Sequence, residues 1–372
     1  MGAHPPRHPP DARNMNKQKI LKPTASNVHR AAKIIKRGGV VAFPTETVYG
    51  LGADAFNEKA VCRIFEVKKR PSFDPLIVHV ASMREAVLLW SSVPDAAKVL
   101  MQKFWPGPLS IVLPKSSRVP DVVTSGLETV AVRMPAHPVA LELIRKAGCP
   151  IAAPSANLFG YTSPTAALSV AEDLGDKIDA VLDGGPSTVG LESTVVKIEG
   201  GKIYLLRPGG VSVEAIEKAL RLKVKRSVGK TKLESPGQME SHYAPQAPLV
   251  LMGEKSDAFI KKLQRLQNAW RKKGGQWPKI ACISYSGKKA KGLFCAELVL
   301  SPKRDLYQAA SRLFQGIRKL DRMRPVLMIA SPFPMQNIGL AINDRLQKAS
   351  AGKRGWKQFM LSFPKALIGN QT

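Results

Sequence analysis

Five short polar islands hold the residue types that could do chemistry in this chain. Pro44-Thr-Glu-Thr-Val-Tyr-Gly50 directly follows an apolar run, and Lys68-Lys-Arg-Pro71 closes a helical pattern. Ala153-Pro-Ser-Ala-Asn157 follows the apolar pair Ile151-Ala152, Gly190-Leu-Glu-Ser-Thr-Val195 opens a strand pattern, and Leu206-Arg-Pro-Gly-Gly210 ends one. Cations, hydroxyls and amides at strand ends can bind phosphates and carboxylates, because pockets in α/β proteins form where loops leave strands. Each island also has a purely structural reading. Thr45 or Thr47 could bond backbone amides, and Lys68–Arg70 could complement a helix C-terminus. Five islands together in one domain are harder to explain that way.

Familiar nucleotide signatures are missing. Gly229-Lys230-Thr231 is the nearest approach to a phosphate loop, but Val224 stands where the motif needs its first glycine. A Cβ there obstructs the backbone amides that must close around the phosphates. No GxGxxG, HExxH or GxSxG occurs. Cys62, Cys149, Cys282 and Cys295 form no CxxC pair, so zinc-ribbon chemistry is not expected and four reduced thiols are. Any nucleotide site here is unconventional.

The elements that must position the islands follow from periodicity. Apolar spacing predicts a helix from Ser26, capped by Ser26 or Asn27 and stopped at Gly38-Gly39. Strands are expected at Gly39–Pro44, Leu76–Val80, Leu109–Leu113, Thr129–Met134, Ala180–Leu182, Ser193–Ile198 and Ile203–Leu206. Helices are expected at Lys59–Lys69, Met83–Trp90, Asp95–Phe104, Pro138–Ala147 and Val211–Leu222. This irregular mixture predicts an α/β (α+β) domain with a twisted mixed sheet. Beyond it, strands at Pro248–Met252, Lys279–Ser284 and Val326–Ala330 alternate with helices at Asp257–Lys272, Leu306–Leu320 and Ile338–Ser350. That order predicts a smaller α/β domain with a mostly parallel, Rossmann-like sheet. The expected organisation is a disordered extension over residues 1–15, a catalytic domain over 16–222, a linker over 223–248 and a second domain over 249–365. Met15 is a candidate true start.

The 372 residues carry 57 Lys and Arg against 28 Asp and Glu, a formal charge of +29. Such a charge favours polyanions without defining a fold. Residues 218–232 and 261–291 contain no acid, so tRNA contact through a basic surface is conceivable, as is a merely solvated basic face. No run approaches the roughly 20 apolar residues of a membrane span. The expected location is the cytoplasm, with no membrane partner.

The ordered islands resemble the threonylcarbamoyl-AMP synthase family, the YrdC-type fold in its longer two-domain form. The resemblance runs over roughly residues 20–350. It rests on Pro44–Gly52, Lys68–Pro71 with Pro75–His79, Thr129–Pro135, Pro154–Asn157, Gly190–Val195 and Leu206–Gly209. Ser241-His-Tyr-Ala-Pro245 and Gly339–Leu346 match the long form specifically. The resemblance implies a concave basic cavity in which threonine, bicarbonate and ATP with Mg²⁺ give threonylcarbamoyl-AMP and pyrophosphate. That product would be passed to a threonylcarbamoyl transferase for tRNA modification.

By the same resemblance, Lys68, Arg70, Ser155 and Asn157 form the catalytic, phosphate-facing end. Ser72, Thr129, Ser163, Arg207 and Tyr243 add ATP contacts, and Thr45, His79, Arg133 and Ser193 form the threonine site. Tyr243 is expected to be a lid contact whose loss weakens ATP use more than folding. Lys197 stands where the family usually has an acid. Two other readings are an RNA-binding or ribosome-associated module of the same fold, and a hydrogenase-maturation carbamoyl transferase. The latter lacks support, because its paired cysteines and extra length are missing.

Overall fold

The computed structural model describes residues 19–226, 235–239, 242–253, 256–287, 290 and 292–351. The expected N-terminal extension, Met15, Gly229-Lys230-Thr231, Ser241 and residues 352–365 lie outside the described residues.

The first domain is a mixed sheet wrapped by helices. In chain order its strands are β1 (Ile20–Leu21), β2 (Val41–Phe43), β3 (Gly50–Asp54), β4 (Ile77–His79), β5 (Leu109–Pro114) and β6 (Thr129–Arg133). They continue with β7 (Ile151–Ala152), β8 (Ala180–Leu182), β9 (Thr194–Glu199), β10 (Lys202–Arg207) and β11 (Val224–Arg226). The spatial order is β1-β8-β2-β3-β7-β4-β6-β5-β9-β10-β11. Parallel and antiparallel pairings are mixed along it, with β2-β3-β7-β4 antiparallel throughout. β11 adds an edge strand inside the segment expected to be linker.

The helices α1 (Ala25–Lys36), α2 (Glu58–Lys68), α3 (Met83–Val87), α4 (Asp95–Phe104), α5 (Asp121–Thr124), α6 (Pro138–Ala147), α7 (Ala167–Leu174) and α8 (Val213–Leu220) follow their apolar spacing. α1 buries Val28, Ala31, Ala32 and Ile35 on one face. Its cap is Thr24 rather than Ser26 or Asn27. The Thr24 hydroxyl accepts from the Asn27 amide, while the Asn27 side chain donates back to the Lys22 carbonyl. α6 has Pro138 in its first turn and Gly148 in left-handed geometry after its end.

β3 was not among the expected strands; Gly50 and Gly52 interrupt its apolar pattern. The glycines are there for packing. A Cβ on Gly52 would lie 2.6 Å from Ile151 and 2.7 Å from the Phe43 ring. The large neighbours take the space that a side chain would occupy.

The second domain has β12 (Leu249–Leu251), β13 (Ile280–Ser284), β14 (Ala296–Val299) and β15 (Leu327–Ala330), ordered β12-β15-β13-β14. All three pairings are parallel. The helices α9 (Ser256–Lys272), α10 (Leu306–Asp321) and α11 (Gly339–Ser350) accompany it. α10 buries Leu306, Ala309, Ala310, Leu313, Phe314, Ile317 and Leu320. No helix among the described residues is long and apolar enough to cross a membrane.

The two domains share a core. Val48 and Leu191 of the first domain cluster with Tyr243, Leu313, Phe314, Ile342 and Leu346. Ion pairs surround this seam. Arg318 pairs with Asp173 at 2.5 Å, Arg322 with Glu172 at 2.6 Å, and Arg345 with Glu192 at 2.7 Å. The backbones approach closely at Gly190, whose φ is +73°; a Cβ there would lie 2.4 Å from Ser311 Cα and 2.8 Å from the Ala310 carbonyl oxygen. Gly190→Ala must therefore push α10 outward. The expected result is a loss of about 2–3 kcal/mol and separation of urea unfolding into two transitions, against one for the parent.

Candidate active site

The five islands converge on one cleft of the first domain. β2 and β7 finish at it and β3 begins there, while β4, β6 and β10, which run opposite to β2 and β7, reach it with their ends from the other direction, where β9 begins. Between them lies a cleft of about 520 Å³, counted to its open mouth. Its lining includes Thr45, Arg70, His79, Arg133, Ser155, Ser193, Arg207 and Tyr243. Lys68, Ser72, Thr129, Asn157 and Ser163 are not on the lining.

Three guanidinium groups dominate the wall. Arg133 ends β6 beside His79, its register partner on β4. Its Nε donates to the Gly107 carbonyl at 3.2 Å, Nη1 to Thr47 Oγ1 at 2.8 Å, and Nη2 to Glu46 Oε1 at 2.6 Å. Arg207 ends β10 and donates to the Ser193 carbonyl, the Ser193 hydroxyl and the Pro236 carbonyl at 3.0–3.1 Å. Arg70 donates to the Asp74 and Pro75 carbonyls and pairs with the Asp74 carboxylate at 2.9 Å. Burial pulls Arg70 and Arg207 below the ordinary guanidine range; Asp74 opposes this at Arg70, and the Tyr243 side chain opposes it at Arg207.

α2 is built to deliver Lys68 and Arg70. Asn57 caps its start, and Lys69 breaks it in left-handed geometry with φ +52°. The chain turn after Lys68 sends Arg70 into the cleft. Lys68 itself lies beneath the floor, donating to the carbonyls of Ser155 and Asn157. Burial first, and then Arg70, hold its ammonium well below the usual lysine range. In return the Phe159 amide donates to the Lys68 carbonyl at 2.9 Å. Lys68 thus ties the Ala153–Asn157 turn to α2. Asn157 points its amide nitrogen at the carbonyls of Leu158 and Tyr161, and its Oδ1 is buried without a partner.

The hydroxyl groups are also pre-set. Thr45 Oγ1 donates to the Val48 carbonyl at 2.6 Å and lies 2.8 Å from Thr47 Oγ1. Ser193 shares a 2.8 Å hydrogen bond with Ser110. Ser163 is buried and donates to Glu192. Ser72 is exposed. Thr129 opens β6, four residues and roughly 13 Å of strand from Arg133.

The segment expected to be linker closes one side. Pro236, Gly237, His242 and Tyr243 all line the cleft. Tyr243 has φ +63° and stacks on Phe314 at 5.5 Å, with the Arg345 guanidinium 5.1 Å from its ring centre. Its ring belongs to the core between the domains, so truncating it removes core packing as well as a cleft wall. Sequence reasoning assigned no ligand-site role to Glu46, Thr47, Ser110, Glu192, His242 or Arg345. Glu46 and Glu192 sit inside the quoted islands, where an acid among cations was the available signal. Arg345 and His242 lie inside the long-form segments Gly339–Leu346 and Ser241–Pro245, and Ser110 gave no signal. Lys197, noted as a departure from the usual acid, is buried and pairs with Glu199 at 2.7 Å.

Comparison with known proteins agrees with this architecture. Residues 33–209 match the Sua5–YciO–YrdC family model, described as telomere recombination. Residues 211–351 match the model described as threonylcarbamoyl-AMP synthase, C-terminal domain. Threonylcarbamoyl-AMP synthase of Pyrococcus abyssi is 43% identical over 86% of this chain and 93% of its own length. The chain belongs to the threonylcarbamoyl-AMP synthase family. The Bacillus subtilis member is 43% identical over 88% of this chain and 93% of its own. The crystal structure of P. abyssi Sua5 complexed with L-threonine superposes with a TM-score of 0.81 at 40% identity, covering 89% of this chain and 97% of that one. The synthase family fold therefore extends through both domains.

Two histidines at the cleft are held neutral. Burial, then Arg133, push His79 down to about 3, and its Nδ1 has no partner. Burial and the cations Arg70, Lys68, Arg345 and Arg207 lower His242 as well. Unfolded histidine takes up its proton near pH 6.5, while the folded groups stay neutral. Acid therefore favours the unfolded chain. Stability contributed by His79 is complete above about pH 6.5 and is lost as the pH falls toward 3. The expected slope reaches about 1.4 kcal/mol per pH unit per histidine. His79→Gln should flatten the dependence of the urea midpoint between pH 6.5 and 4.5, whatever its effect at pH 7.5.

Proposed function

We propose that the cleft condenses L-threonine, bicarbonate or CO₂, and ATP into threonylcarbamoyl-adenylate and pyrophosphate, an adenylyl transfer. The observation that carries this reading is the set of three buried guanidinium groups on one cleft, with Lys68 below. A buried excess of positive charge calls for anions, and this reaction brings two kinds, a carboxylate and a triphosphate.

Arg133 suits the carboxylate. Three of its five N–H groups are fixed by Gly107, Thr47 and Glu46, which holds the planar fork and leaves one N–H on each Nη for a ligand. Thr45, Ser193 and neutral His79 offer hydrogen bonds beside it without bringing a proton that would protonate the threonine amine. That amine adds to CO₂ and loses a proton, giving a carbamate. A carbamate oxygen then attacks the α-phosphorus of ATP. The bond to the β-phosphate oxygen breaks, and pyrophosphate leaves.

Arg70 and Arg207 are placed to bind the phosphates and to stabilise charge as it moves onto the leaving group. Ser155 borders them. Lys68 and Asn157 set the turn that carries Ser155, and Ser163 acts through Glu192. Contacts from Ser72 and Thr129 to ATP remain part of the proposal at its periphery.

Magnesium fits as the counter-ion of the triphosphate. Among the described residues no group of three or more His, Cys, Asp or Glu is clustered for a metal. The one carboxylate on the lining, Glu192, is engaged by Arg345 and Ser163. The protein would hold the ion through the phosphates that Arg70 and Arg207 bind.

The product is a mixed anhydride, unstable in water, and its use is N6-threonylcarbamoyladenosine formation at position 37 of tRNAs. A downstream threonylcarbamoyl transferase in the cytoplasm would consume it.

With ATP, threonine and ¹³C-bicarbonate, mass spectrometry should detect the labelled anhydride and an equal amount of pyrophosphate. Formation of ADP alone, or RNA binding with no turnover, would overturn the proposal. Arg133→Lys keeps a cation for Glu46 but loses the fork. It should raise KM for threonine roughly 10- to 100-fold, with KM for ATP changed much less.

A further inference from the structure

The second domain places charged side chains of α11 against the wall of the cleft: Lys348 donates to the carbonyl of cleft-lining Gly237 at 2.7 Å, and Arg345 reaches Glu192. Arg345 on α11 is fully buried, and its guanidinium reaches back across the seam. Nε donates to Glu192 Oε2 at 2.7 Å, and Nη2 donates to the Pro208 carbonyl at 2.9 Å. Those partners come from the Gly190–Val195 and Leu206–Gly210 islands, and Glu192 itself lines the cleft. The next residue along, Ser193, holds Arg207 through both its carbonyl and its hydroxyl. The face of the Arg345 guanidinium lies over Tyr243, a cleft-lining residue of the connecting segment.

Glu192 is an odd residue for an anion site. A buried carboxylate on the lining repels a triphosphate or a carboxylate unless its charge is cancelled. Within the first domain it has the Ser163 hydroxyl and the nearby Arg207, which the proposed reaction needs for phosphate. Arg345 is the cation that bonds it directly.

We infer that Arg345 is a positioning residue contributed by the second domain: it neutralises and orients Glu192, which leaves Arg207 free for substrate and makes the cleft electrostatically complete only when the domains are docked. This deepens the proposed function and rests on it. Arg345 does not touch the substrates; it acts through Glu192, Pro208 and Tyr243.

The charges around Glu192 are few and come from four elements. Arg345 and Asp344 lie on α11, Arg207 on β10, Tyr243 on the connecting segment, and Ser163 on the loop before α7. Burial alone would raise the Glu192 carboxyl, but Arg345, then Arg207 and Ser163, outweigh it and hold it below the usual range. Without Arg345 the carboxyl is left mainly with Arg207. It must then either take Arg207 from the substrate or bind a proton.

The test is a cycle of Arg345→Met, Glu192→Gln and the double variant, read as kcat/KM for ATP and for threonine across pH. Arg345→Met should lose roughly 30-fold or more at pH 8. It should recover part of that loss toward pH 6, where the orphaned carboxyl is protonated. Adding Glu192→Gln should restore activity to within about 5-fold of the parent and abolish the acid recovery. A merely structural role predicts otherwise, since the double variant has lost the same ion pair.

A double variant as impaired as Arg345→Met, or an Arg345→Met enzyme with parental activity, overturns the inference. If Arg345→Met does not fold, Arg345→Lys decides. It retains the charge and should stay within about 10-fold of the parent; a folded Arg345→Lys protein with a greater loss counts against charge neutralisation. Should the parent itself make no threonylcarbamoyl-adenylate, the reading of the site fails. The inference about Arg345 is judged only from the differences among variants of an active parent.

Discussion

The structure is organised around a concentration of buried positive charge. Lys68, Arg70, Arg133, Arg207 and Arg345 are all buried, and the buried carboxylates Glu46, Asp74 and Glu192 are fewer. Taking a cation out of water costs several kcal/mol even after relaxation. The fold meets that cost largely with backbone carbonyls. Lys68 uses those of Ser155 and Asn157, Arg70 those of Asp74 and Pro75, Arg207 those of Ser193 and Pro236, and Arg345 that of Pro208. A carbonyl satisfies an N–H without cancelling the charge. The site can therefore be held rigid and remain positive.

That demand accounts for the topology around the cleft. Free carbonyls are scarce inside a sheet, where ladders use them, and plentiful where strands end. The cations accordingly sit at strand and helix ends: Arg133 on β6, Arg207 on β10, Lys68 on α2. The mixed sheet brings these ends together because β3, β5 and β9 run opposite to their neighbours β7, β6 and β10. The island loops also hold one another. The Val189 amide donates to the Glu46 carbonyl at 2.7 Å, and the Ser187 hydroxyl donates to the Thr45 carbonyl at 3.0 Å. These contacts fix the loops relative to one another before any ligand arrives.

Much of this was legible in the sequence, for local reasons. α4, α6 and β8 fall at their expected bounds because apolar period, Pro138 and Gly148 agree about them. β6 was also legible, and the family resemblance already named Arg133 at its end as a ligand group. Other features were hidden by competing signals. β3 was lost to its glycines, which serve Phe43 and Ile151. β14 has no fully buried residue, so it lacks the alternation that marks a strand. Thr24 was passed over as a cap because Ser26 and Asn27 lie closer to the first buried residue. Glu46 and Glu192 were visible inside the islands, but their roles depend on Arg133 and Arg345, which are distant in sequence. No local pattern carries a pairing across 153 residues.

Stability alone does not select for such a core. An ion pair buried in a protein is often no better than a well-packed apolar group of the same volume, whereas breaking one is costly. The described residues already contain large apolar clusters on both faces of the first sheet and around the second. The cations at the seam between them are therefore an expense in the free protein. A fold retains that expense when a ligand recovers it, since binding an anion repays desolvation already incurred during folding. The connecting segment fits the same logic. Tyr243 accepts left-handed backbone geometry, unfavourable for a bulky side chain, so that its ring can lie between Phe314 and Arg345 while its edge faces the cleft. The domains are thus joined by a wall of the site rather than by a tether, and the charge that the cleft presents depends on side chains from both.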